Sequence, residues 1–286
     1  MGTPEPTTEA GRRGWAAIQS DPTRAVVALD FDGTLAPIVP DPDQARAHPA
    51  AVPVLARLAP LVDSVVVVTG RPAASAVRHG GFTDVPGLDG LVVLGHYGAE
   101  RWDAATGRLT APEPPPGVET VRRELPALLR SLDDGTAFST TAGVTVEDKE
   151  RSLAVHTRRS PDPAGAQAAL ARPLEDLAER CGLVVEPGRF VLELRPPGVD
   201  KGAALRGYLA ERGAAAVLYA GDDLGDLAAY AAVEELRGSV GGPAGVLVCS
   251  AAGEGAVAEL AARADIEVDG PAGVVALLDD LAKILG

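Results

Sequence analysis

The sequence has few aromatic residues, few cysteines and few lysines, and each shortage narrows the classes of protein to which it can belong. Aromatic residues make up 3% of the 286 positions and apolar residues 46%, so a buried core must consist of alanine, valine and leucine. The two cysteines, Cys181 and Cys249, lack the spacing of metal ligands and are too few for a disulfide framework. This cysteine usage fits a reducing compartment, and we expect a cytoplasmic protein.

Long apolar runs and excess positive charge are also missing. No apolar stretch reaches the length needed to span a bilayer, and residues 1–20 lack the apolar segment of a signal peptide. The net charge of −14 argues against nucleic acid or an anionic membrane as a partner. The same charge would repel a phosphorylated substrate unless a bound divalent cation and a well-placed lysine offset it locally.

What the sequence does contain is an alternation of short apolar runs with segments of helical periodicity. This alternation predicts an α/β fold with a parallel sheet wrapped by helices. The predicted core strands are residues 25–30, 64–69, 91–95, 216–220 and 245–248. The predicted core helices are residues 49–60, 202–212, 224–236 and 254–263.

The middle of the chain has a different pattern, which predicts a smaller α/β domain inserted into the sheet domain. A proline-rich segment, 110–117, is typical of a linker. Predicted helices 118–132 and 164–181 and strands 142–147, 152–157, 183–186 and 190–194 follow it. The predicted organisation is a flexible tail (1–20) with at most a short helix around Trp15, the first part of the core (21–108), the inserted domain (109–192) and the second part of the core (193–286).

Two carboxylates follow the first apolar run. The run Ala25–Leu29 ends at Asp30 and Asp32, and Gly33 comes next. Open α/β sheets bind ligands at the carboxyl ends of their strands, and strand alternation would direct both carboxylates to the same side. Such a pair needs a cation or a shared proton. A turn or a helix cap is the alternative, but this spacing favours a nucleophile, an acid/base group and a divalent metal.

Two further segments offer groups that suit a phosphate. Thr69 and Gly70 follow a predicted strand, and they can present a hydroxyl and a backbone N–H to a phosphate oxygen. An ordinary cap between strand and helix is the alternative for this pair. Lys201 is one of only three lysines, and its retention before a predicted helix favours a role for a compact ammonium group. A solvated lysine at a helix start is the alternative for Lys201.

A second acidic cluster follows the predicted strand 216–220. Asp222, Asp223 and Asp226 lie within five residues, close enough to share a hard cation through oxygen ligands. Capping of the next helix by Asp222 or Asp223 is the alternative. A cap would not need all three acids, so the cluster favours a metal site.

Together these segments resemble the haloacid-dehalogenase-like superfamily, whose four motifs match the segments of Asp30 and Asp32, Thr69, Lys201, and Asp222 with Asp226. The finer pattern is similar to that of the trehalose-6-phosphate phosphatases. The resemblance implies a Rossmann-like core with an α/β cap domain inserted after the third core strand. The stretches that carry it are Asp32-Gly-Thr-Leu-Ala-Pro-Ile38, Val68-Thr-Gly-Arg-Pro72, Val146-Glu-Asp-Lys149, Gly188-Arg-Phe-Val-Leu-Glu-Leu-Arg-Pro196, Lys201-Gly202 and Gly221-Asp-Asp223.

The resemblance also implies roles for particular residues. Asp30 would be the nucleophile that forms an aspartyl-phosphate, and Asp32 the general acid and base. The other implied phosphate-binding and catalytic groups are Thr69, Gly70 and Lys201, and the implied Mg²⁺ ligands are Asp30, Asp32, Asp222, Asp223 and Asp226. Glu147, Lys149 and Glu193 would bind sugar hydroxyls, although a solvated hairpin tip is the alternative for the charged segment 147–151.

The sequence departs from the family pattern in two places. Tyr97 and Gly98 stand where the family has His-Gly in the wall facing the sugar, and Gly225-Asp226-Leu227 stands where Thr-Asp-Glu is usual. Because these departures concern the substrate, we expect a small sugar phosphate, with trehalose 6-phosphate first and a sucrose-phosphate or glucosylglycerate-phosphate type as the alternative. We also expect a monomer.

Two readings from other classes fit the motifs less well. A phosphate-sensing module would need neither the acid at Asp32 nor an inserted domain. A dinucleotide-binding enzyme would need a Gly-x-Gly-x-x-Gly turn after the first strand, which this sequence lacks.

Overall fold

A computed structural model of the chain describes residues 4–39, 41–137, 139–188, 190–251 and 258–286. The strands are β1 (Ala25–Leu29), β2 (Ser64–Val68), β3 (Leu91–Gly95), β4 (Glu100–Asp103), β5 (Arg108–Thr110), β6 (Thr145–Asp148), β7 (Leu153–His156), β8 (Val184–Gly188), β9 (Val191–Arg195), β10 (Ala216–Gly221), β11 (Ala244–Ser250) and β12 (Ile266–Val268). The α-helices are α1 (Glu9–Ser20), α2 (Ala51–Leu58), α3 (Ala73–Gly80), α4 (Pro116–Ser131), α5 (Pro163–Arg180), α6 (Lys201–Arg212), α7 (Leu227–Gly238), α8 (Ala258–Arg263) and α9 (Gly270–Leu285).

The chain forms two compact units. The smaller one is Pro112–Val199, and the larger one contains the rest of the described chain. In the larger unit the strand order is β12-β11-β10-β1-β2-β3-β4-β5, and the pairs from β12 to β3 are parallel. All five predicted core strands are present, and the predicted α/β fold with a parallel sheet is confirmed.

The parallel strands are buried on both faces, which explains why they appear in the sequence as unbroken apolar runs. In β1, Val27 and Leu29 belong to one hydrophobic cluster, whereas Val26 and Ala28 belong to a second cluster on the opposite face. The core therefore consists mainly of aliphatic side chains, as the low aromatic content predicts.

The N-terminal segment differs from the predicted flexible tail. Residues 9–20 form helix α1, which packs against β10 and β11, and Ile18 is fully buried. Thr8 caps the helix by accepting a hydrogen bond from Gly11. The segment is rich in charge, and two of its three buried residues are glycines, so the sequence pattern did not reveal this packing.

The domain boundaries also differ from those predicted. The antiparallel strands β4 and β5 follow β3 and extend the core sheet, and the predicted start of the inserted domain at residue 109 falls within β5. The predicted boundary at residue 192 cuts β9, which continues through hydrogen-bonded pairing to Arg195. The observed boundaries, at Pro112 and Val199, lie in the two proline-containing connections.

The smaller unit is a four-stranded antiparallel sheet in the order β6-β7-β9-β8, with helices α4 and α5 packed on it. Its own apolar core includes Leu153, Val155, Leu192 and Leu194 from the central strands. Because residues alternate along a strand, the neighbouring positions on β7 and β9 lie on the other face of the sheet, and these are mostly polar. Two predictions fall partly outside the described residues, namely the turn at Glu186–Arg189 and the start of the helix 254–263.

Candidate active site

The acidic motifs lie where the strand order of the core sheet reverses. Strand β1 lies between β2 and β10, so the chain leaves it to one side for β2 and β3 and returns on the other side at β10. Ligands of open α/β sheets bind at this point, beyond the carboxyl ends of the strands. Asp30 follows β1 and Asp222 follows β10, and the Asp30 N–H donates to the Ala220 carbonyl at 2.9 Å.

Three carboxylates converge at this position. Asp30, Asp222 and Asp226 are all buried and each offers an oxygen within 4.8 Å of the others. Burial, with the charge of the neighbouring acids, raises the pKa of Asp222 to about 10 and also raises the pKa of Asp30. Buried carboxylates this close repel one another, and a hard divalent cation with a preference for oxygen ligands would relieve that repulsion. The donor set therefore fits a divalent metal.

Glycine is required beside this cluster. Gly33 adopts a left-handed φ of +82°, and a Cβ at this position would lie 1.9 Å from a carboxylate oxygen of Asp222. The Ser250 hydroxyl donates to the Gly33 carbonyl at 2.7 Å and holds the turn. The Gly of the Asp-x-Asp-Gly-Thr motif is thus needed for the close approach of the loops after β1 and β10.

Lys201 lies among the acids. It is the first residue of α6, after the capping residue Asp200, and its ammonium group is 2.7 Å from Asp30 and 2.8 Å from Asp226. Burial alone would lower the pKa of Lys201, but the charges of Asp226 and Asp30 raise it overall, so the side chain is a cation. The solvated position that the sequence left open does not apply, because the residue is only 5% exposed.

Asp223 lies apart from the cluster of buried acids. Its side chain accepts a hydrogen bond from Gly225 at 2.8 Å and forms a capping box with Asp226. The capping alternative therefore holds for Asp223, and among the described residues the group of possible metal ligands does not include it. Its predicted metal role stays a prediction.

Asp32 is paired with a residue to which the sequence analysis gave no role. Arg71 donates to both carboxylate oxygens of Asp32, at 2.6 and 2.7 Å, and its guanidinium lies over the Phe31 ring. Arg71 also donates to Nδ1 of His79 at 3.1 Å. The Asp32 carboxylate is therefore held by a bidentate ion pair, and in the part of the chain that is described it is not grouped with Asp30 and Asp222.

Thr69 and Gly70 occupy the end of β2. Thr69 is buried and its hydroxyl accepts from the Arg71 N–H at 3.2 Å, so it caps the turn as well as lying at the strand end. The Tyr97 N–H donates to the Thr69 carbonyl at 2.9 Å, and a Cβ at Gly70 would lie 2.7 Å from the Tyr97 hydroxyl. The structure therefore brings Tyr97 to the Thr69–Gly70 turn.

The segment that carries Tyr97 is unusual in its backbone. His96, Tyr97 and Gly98 all have positive φ, of 47°, 56° and 92°. Two successive non-glycine residues in the left-handed region cost energy and persist only where the surroundings impose them. This conformation brings Tyr97 beside Gly70.

The predicted sugar-binding residues lie together in the smaller unit. Glu147, Ala154 and Glu193 are register partners across β6, β7 and β9, so their side chains share the polar face of that sheet. The Lys149 ammonium is 3.3 Å from Glu193. The small side chain of Ala154 separates the two glutamates, which leaves room between them for polar ligand groups.

Two residues that the sequence analysis did not select support these glutamates. The Ser152 hydroxyl, which is buried, donates to Glu193 at 2.5 Å, and Nε2 of His156 is 2.9 Å from Glu147. Both lie on the same face because they alternate with Leu153 and Val155. The charged segment 147–151 is therefore more than a solvated hairpin tip, since Lys149 and Glu193 are mostly buried.

The parallel sheet and the acidic site at its switch point define an α/β protein that binds a ligand beyond its strand ends. Comparisons with known proteins agree with this fold. A haloacid dehalogenase-like hydrolase from Bacteroides thetaiotaomicron has the same fold, with a TM-score of 0.55 at 16% identity over 90% of this chain and 99% of the other. The C-terminal domain of a C. albicans trehalose-6-phosphate phosphatase aligns with a TM-score of 0.74 at 20% identity, over 99% of both chains. At these identities the similarity shows the fold alone.

The family is shown by sequence. The trehalose-phosphatase family model matches residues 28–265, and the chain belongs to that family. The trehalose-phosphate phosphatase of Mycobacterium marinum is 34% identical over 79% of this chain and 53% of its own length. That of Mycobacterium tuberculosis (strain H37Rv) is 34% identical over 91% of this chain and 61% of its own length. The chain thus spans little more than half the length of these relatives.

Within the described ranges, no helix combines the length and apolar character that a membrane crossing needs.

Proposed function

We propose that this chain hydrolyses trehalose 6-phosphate to trehalose and inorganic phosphate, as a step of trehalose biosynthesis. The observation that carries the proposal is the convergence of Asp30, Asp222 and Lys201 at the switch point of the sheet, in a member of the trehalose-phosphatase family. Together, the Lys201 ammonium and a divalent cation held by the carboxylates would offset the charge of a dianionic phosphate monoester, which the carboxylates alone would repel.

The proposed nucleophile is Asp30. Attack of its carboxylate on phosphorus would break the bond to the sugar oxygen and leave an aspartyl-phosphate, which water then hydrolyses. Lys201, which is 2.7 Å from Asp30, and the hydroxyl and N–H groups at Thr69 and Gly70 would hold the other phosphoryl oxygens. Mg²⁺, held by Asp30 and Asp222 with the Asp32 carbonyl, would add a positive charge beside the phosphate.

Asp32 is the proposed general acid and base. It would give a proton to the departing sugar oxygen and then take one from the attacking water. The bidentate pair with Arg71 fixes the orientation of its carboxylate. When substrate binds, Asp32 would therefore have to give up one of its two hydrogen bonds from Arg71 and contact the sugar oxygen instead.

The proposed sugar-binding groups are Glu147, Lys149 and Glu193, together with the backbone turn of Tyr97 and Gly98. Charged groups form strong directional hydrogen bonds with hydroxyls in a closed site. Ser152 and Lys149 hold the two oxygens of Glu193, so its orientation is fixed before a sugar arrives. A preorganised row of this kind supports selection among sugars rather than catalysis itself.

Release of inorganic phosphate from a panel of esters tests the proposal. With Mg²⁺ present, trehalose 6-phosphate should be hydrolysed with the highest kcat/KM among trehalose 6-phosphate, sucrose 6-phosphate, glucosylglycerate phosphate and glucose 6-phosphate. Without a divalent metal all rates should fall to background. Preference for another ester of the panel would identify that ester as the substrate in place of trehalose 6-phosphate. Hydrolysis of none of them would favour a phosphate-sensing module instead.

A second substrate class has one specific observation in its favour. Tyr97, with its left-handed backbone, lies beside Gly70 where the family has a histidine. A different wall next to the phosphate suits a different sugar, which is why the panel includes the sucrose-phosphate and glucosylglycerate-phosphate types.

A further inference from the structure

We propose that Tyr219 is a positioning residue for the phosphate-binding ammonium of Lys201, and that it acts through the buried carboxylate of Asp226. The inference rests on the proposed function, in which Lys201 holds a phosphoryl oxygen. Tyr219 itself would touch neither substrate nor metal.

The Asp226 carboxylate is surrounded by hydrogen-bond donors. Its Oδ1 accepts from the Tyr219 hydroxyl at 2.6 Å and from the Lys201 ammonium at 2.8 Å. Its Oδ2 accepts from the backbone N–H groups of Asp222 and Asp223 at 3.0 and 3.2 Å. A carboxylate has about four lone-pair sites, and four donors already occupy those of Asp226.

These bonds suggest a different role for Asp226 from that of Asp30 and Asp222. Asp226 lies near enough to share a cation with them, but it is fully buried and saturated by protein donors. Its carboxylate instead connects Lys201 to the loop after β10. The Tyr219 hydroxyl is the one side-chain donor other than Lys201 that the described hydrogen bonds give to this carboxylate.

Tyr219 is a rigid anchor for such a network. It lies in β10, where its register partners are Ala28 of β1 and Leu247 of β11, so its backbone is at the centre of the sheet. Its ring packs edge to face against Tyr230, with centroids 6.1 Å apart. A donor on a central strand can move little, so it fixes the carboxylate and with it the ammonium.

The residue type is otherwise hard to explain. Tyr219 stands in an apolar strand of a chain with only four tyrosines, and it is completely buried. A phenylalanine would fill the same space, and burial of a hydroxyl costs free energy unless the hydroxyl is bonded. The bond to Asp226 accounts for the hydroxyl, and burial followed by the charge of Asp226 raises the pKa of Tyr219, so the group remains a donor.

The chain supplies a matched control. Tyr230 is also fully buried and packs on the same ring, but its hydroxyl has no hydrogen-bond partner among the described residues. Tyr219→Phe and Tyr230→Phe therefore remove the same atom from adjacent rings. Only the first of them removes a donor from Asp226.

The first experiment measures binding of inorganic phosphate to the full chain by calorimetry, with Mg²⁺ present. We expect Tyr219→Phe to weaken phosphate binding about 10- to 150-fold, the range for loss of one hydrogen bond to a charged group. Tyr230→Phe should stay within twofold of the unmutated chain. Equal effects of the two substitutions, or no effect of Tyr219→Phe, would overturn the proposal.

Kinetics separate positioning from general damage. Tyr219→Phe should lower kcat by a similar factor for trehalose 6-phosphate and p-nitrophenyl phosphate, because both present the same phosphoryl group to Lys201. A loss confined to the sugar ester would contradict a role through Lys201. If the unmutated chain hydrolyses no ester, the proposed function fails, and the phosphate-binding comparison still decides the role of Tyr219.

A third measurement does not need Tyr219→Phe to fold, because substitution of the other three tyrosines assigns the Tyr219 signal by elimination. With ¹³C at Cζ of its four tyrosines, the unmutated chain gives a small set of signals that Tyr→Phe substitutions assign. Saturation with inorganic phosphate should shift the Tyr219 signal, because phosphate draws on the Lys201 ammonium that shares Asp226 Oδ1, and should leave that of Tyr230 in place. An unmoved Tyr219 signal would refute the coupling.

Discussion

At the scale of single residues, the chain buries several charged side chains together, which costs free energy of desolvation. Asp30, Lys201 and Asp226 are nearly or fully buried, and each has a partner of opposite charge within 2.8 Å. Removal of Lys201 would leave two buried carboxylates without their cation, which costs more than the pairs contribute. The arrangement is therefore better explained by chemistry than by stability.

The Asp30 carboxylate is the first residue to test. Asp30→Asn keeps the shape of the side chain and leaves Lys201 its bond to Asp226, so folding should be retained. Activity on trehalose 6-phosphate should fall by more than a hundredfold, which corresponds to at least about 2.7 kcal/mol of transition-state stabilisation. Circular dichroism and phosphate release measure the two properties, and a variant with more than a hundredth of the activity would argue against a covalent role.

Lys149 is expected to act on the sugar alone. Lys149→Ala removes the ammonium beside Glu193 and should raise KM for trehalose 6-phosphate by about tenfold, with p-nitrophenyl phosphate unaffected. Lys283→Ala, which removes an exposed lysine paired with Asp279, is the matched control and should change neither constant. Equal losses on both esters in Lys149→Ala would undermine the assignment.

His79 is expected to make stability depend on pH. Its burial, and then the charges of Arg71, Arg46 and Arg78, lower its pKa below 6.5, while Asp43 opposes them. The unfolded chain therefore binds a proton at this residue before the folded one does, so stability is lost as pH falls from 6.5 toward the lower folded pKa.

His79→Gln should remove this part of the pH dependence. Urea unfolding at a series of pH values from 7.5 to about 5 compares the two proteins, because the other titrating groups contribute equally to both. The free energy of unfolding should fall more steeply with decreasing pH in the unmutated chain. Parallel curves would show that His79 is not held neutral.

At the scale of elements, helix α1 shows how small residues allow close packing. Gly14 lies on the side of α1 that faces β11, and a Cβ there would lie 2.4 Å from the Gly245 carbonyl. The helix can approach the strand this closely because Gly14 lacks a side chain, whereas a Cβ at Gly245 would meet Val233 of α7. This contact makes the N-terminal helix part of the core unit.

Two glycine substitutions with opposite expected effects test that packing. Gly14→Ala should lower the free energy of unfolding by about 1–3 kcal/mol, because the new methyl group meets backbone. Gly207→Ala, in the exposed part of α6 with open space around it, should raise it by about 0.5–1 kcal/mol through helix propensity. Urea unfolding measures both, and stabilisation by Gly14→Ala would mean that α1 does not pack as described.

At the scale of the whole molecule, the acidic composition and the acidic site both favour a bound divalent cation. The chain carries a net charge of −14, and three of its buried acids lie together at the site. A cation that binds only the folded chain stabilises it in proportion to its occupancy. Metal binding is therefore measurable as stability, without reference to turnover.

Mg²⁺ should stabilise the folded chain. At a Mg²⁺ concentration a hundred times its dissociation constant, the free energy of unfolding should rise by about 2.7 kcal/mol, and chelation should reverse the effect. Asp222→Asn should reduce this gain strongly, because it removes a carboxylate from the buried group. A gain that persists unchanged in Asp222→Asn would place the metal elsewhere, and denaturation with and without Mg²⁺ measures it.

Much of the fold followed from local pattern. The core strands are apolar on both faces, so runs such as Val65–Val68 predicted them without knowledge of their neighbours. Strands β4 and β5 were missed and helix α1 was expected only as a short helix around Trp15, because charged residues interrupt these elements and only packing reveals their apolar side. The boundary near Glu193 was misplaced since the sheet pairing of β9, not composition, keeps it in the smaller unit.

The sequence predicted some residues of the candidate site but not the contacts that others make. Asp30, Lys201 and Asp222 follow directly from strand ends and motif order. Arg71 lies within the motif Val68-Thr-Gly-Arg-Pro72. Its bidentate pair with Asp32 joins residues 39 positions apart, and no spacing rule indicates that pair. Tyr219 carried a weak signal as a single hydroxyl in an apolar strand.

The sequence alone determined which chemical groups stand at the ends of the strands, because strand alternation and apolar runs are local properties of the chain. Only the tertiary structure decided how those groups are shared. Asp226 accepts from Lys201, Tyr219 and two backbone amides, and Asp32 pairs with Arg71. Such choices depend on the register of strands and on which buried donors meet which acceptors, and these are set by packing between distant parts of the chain.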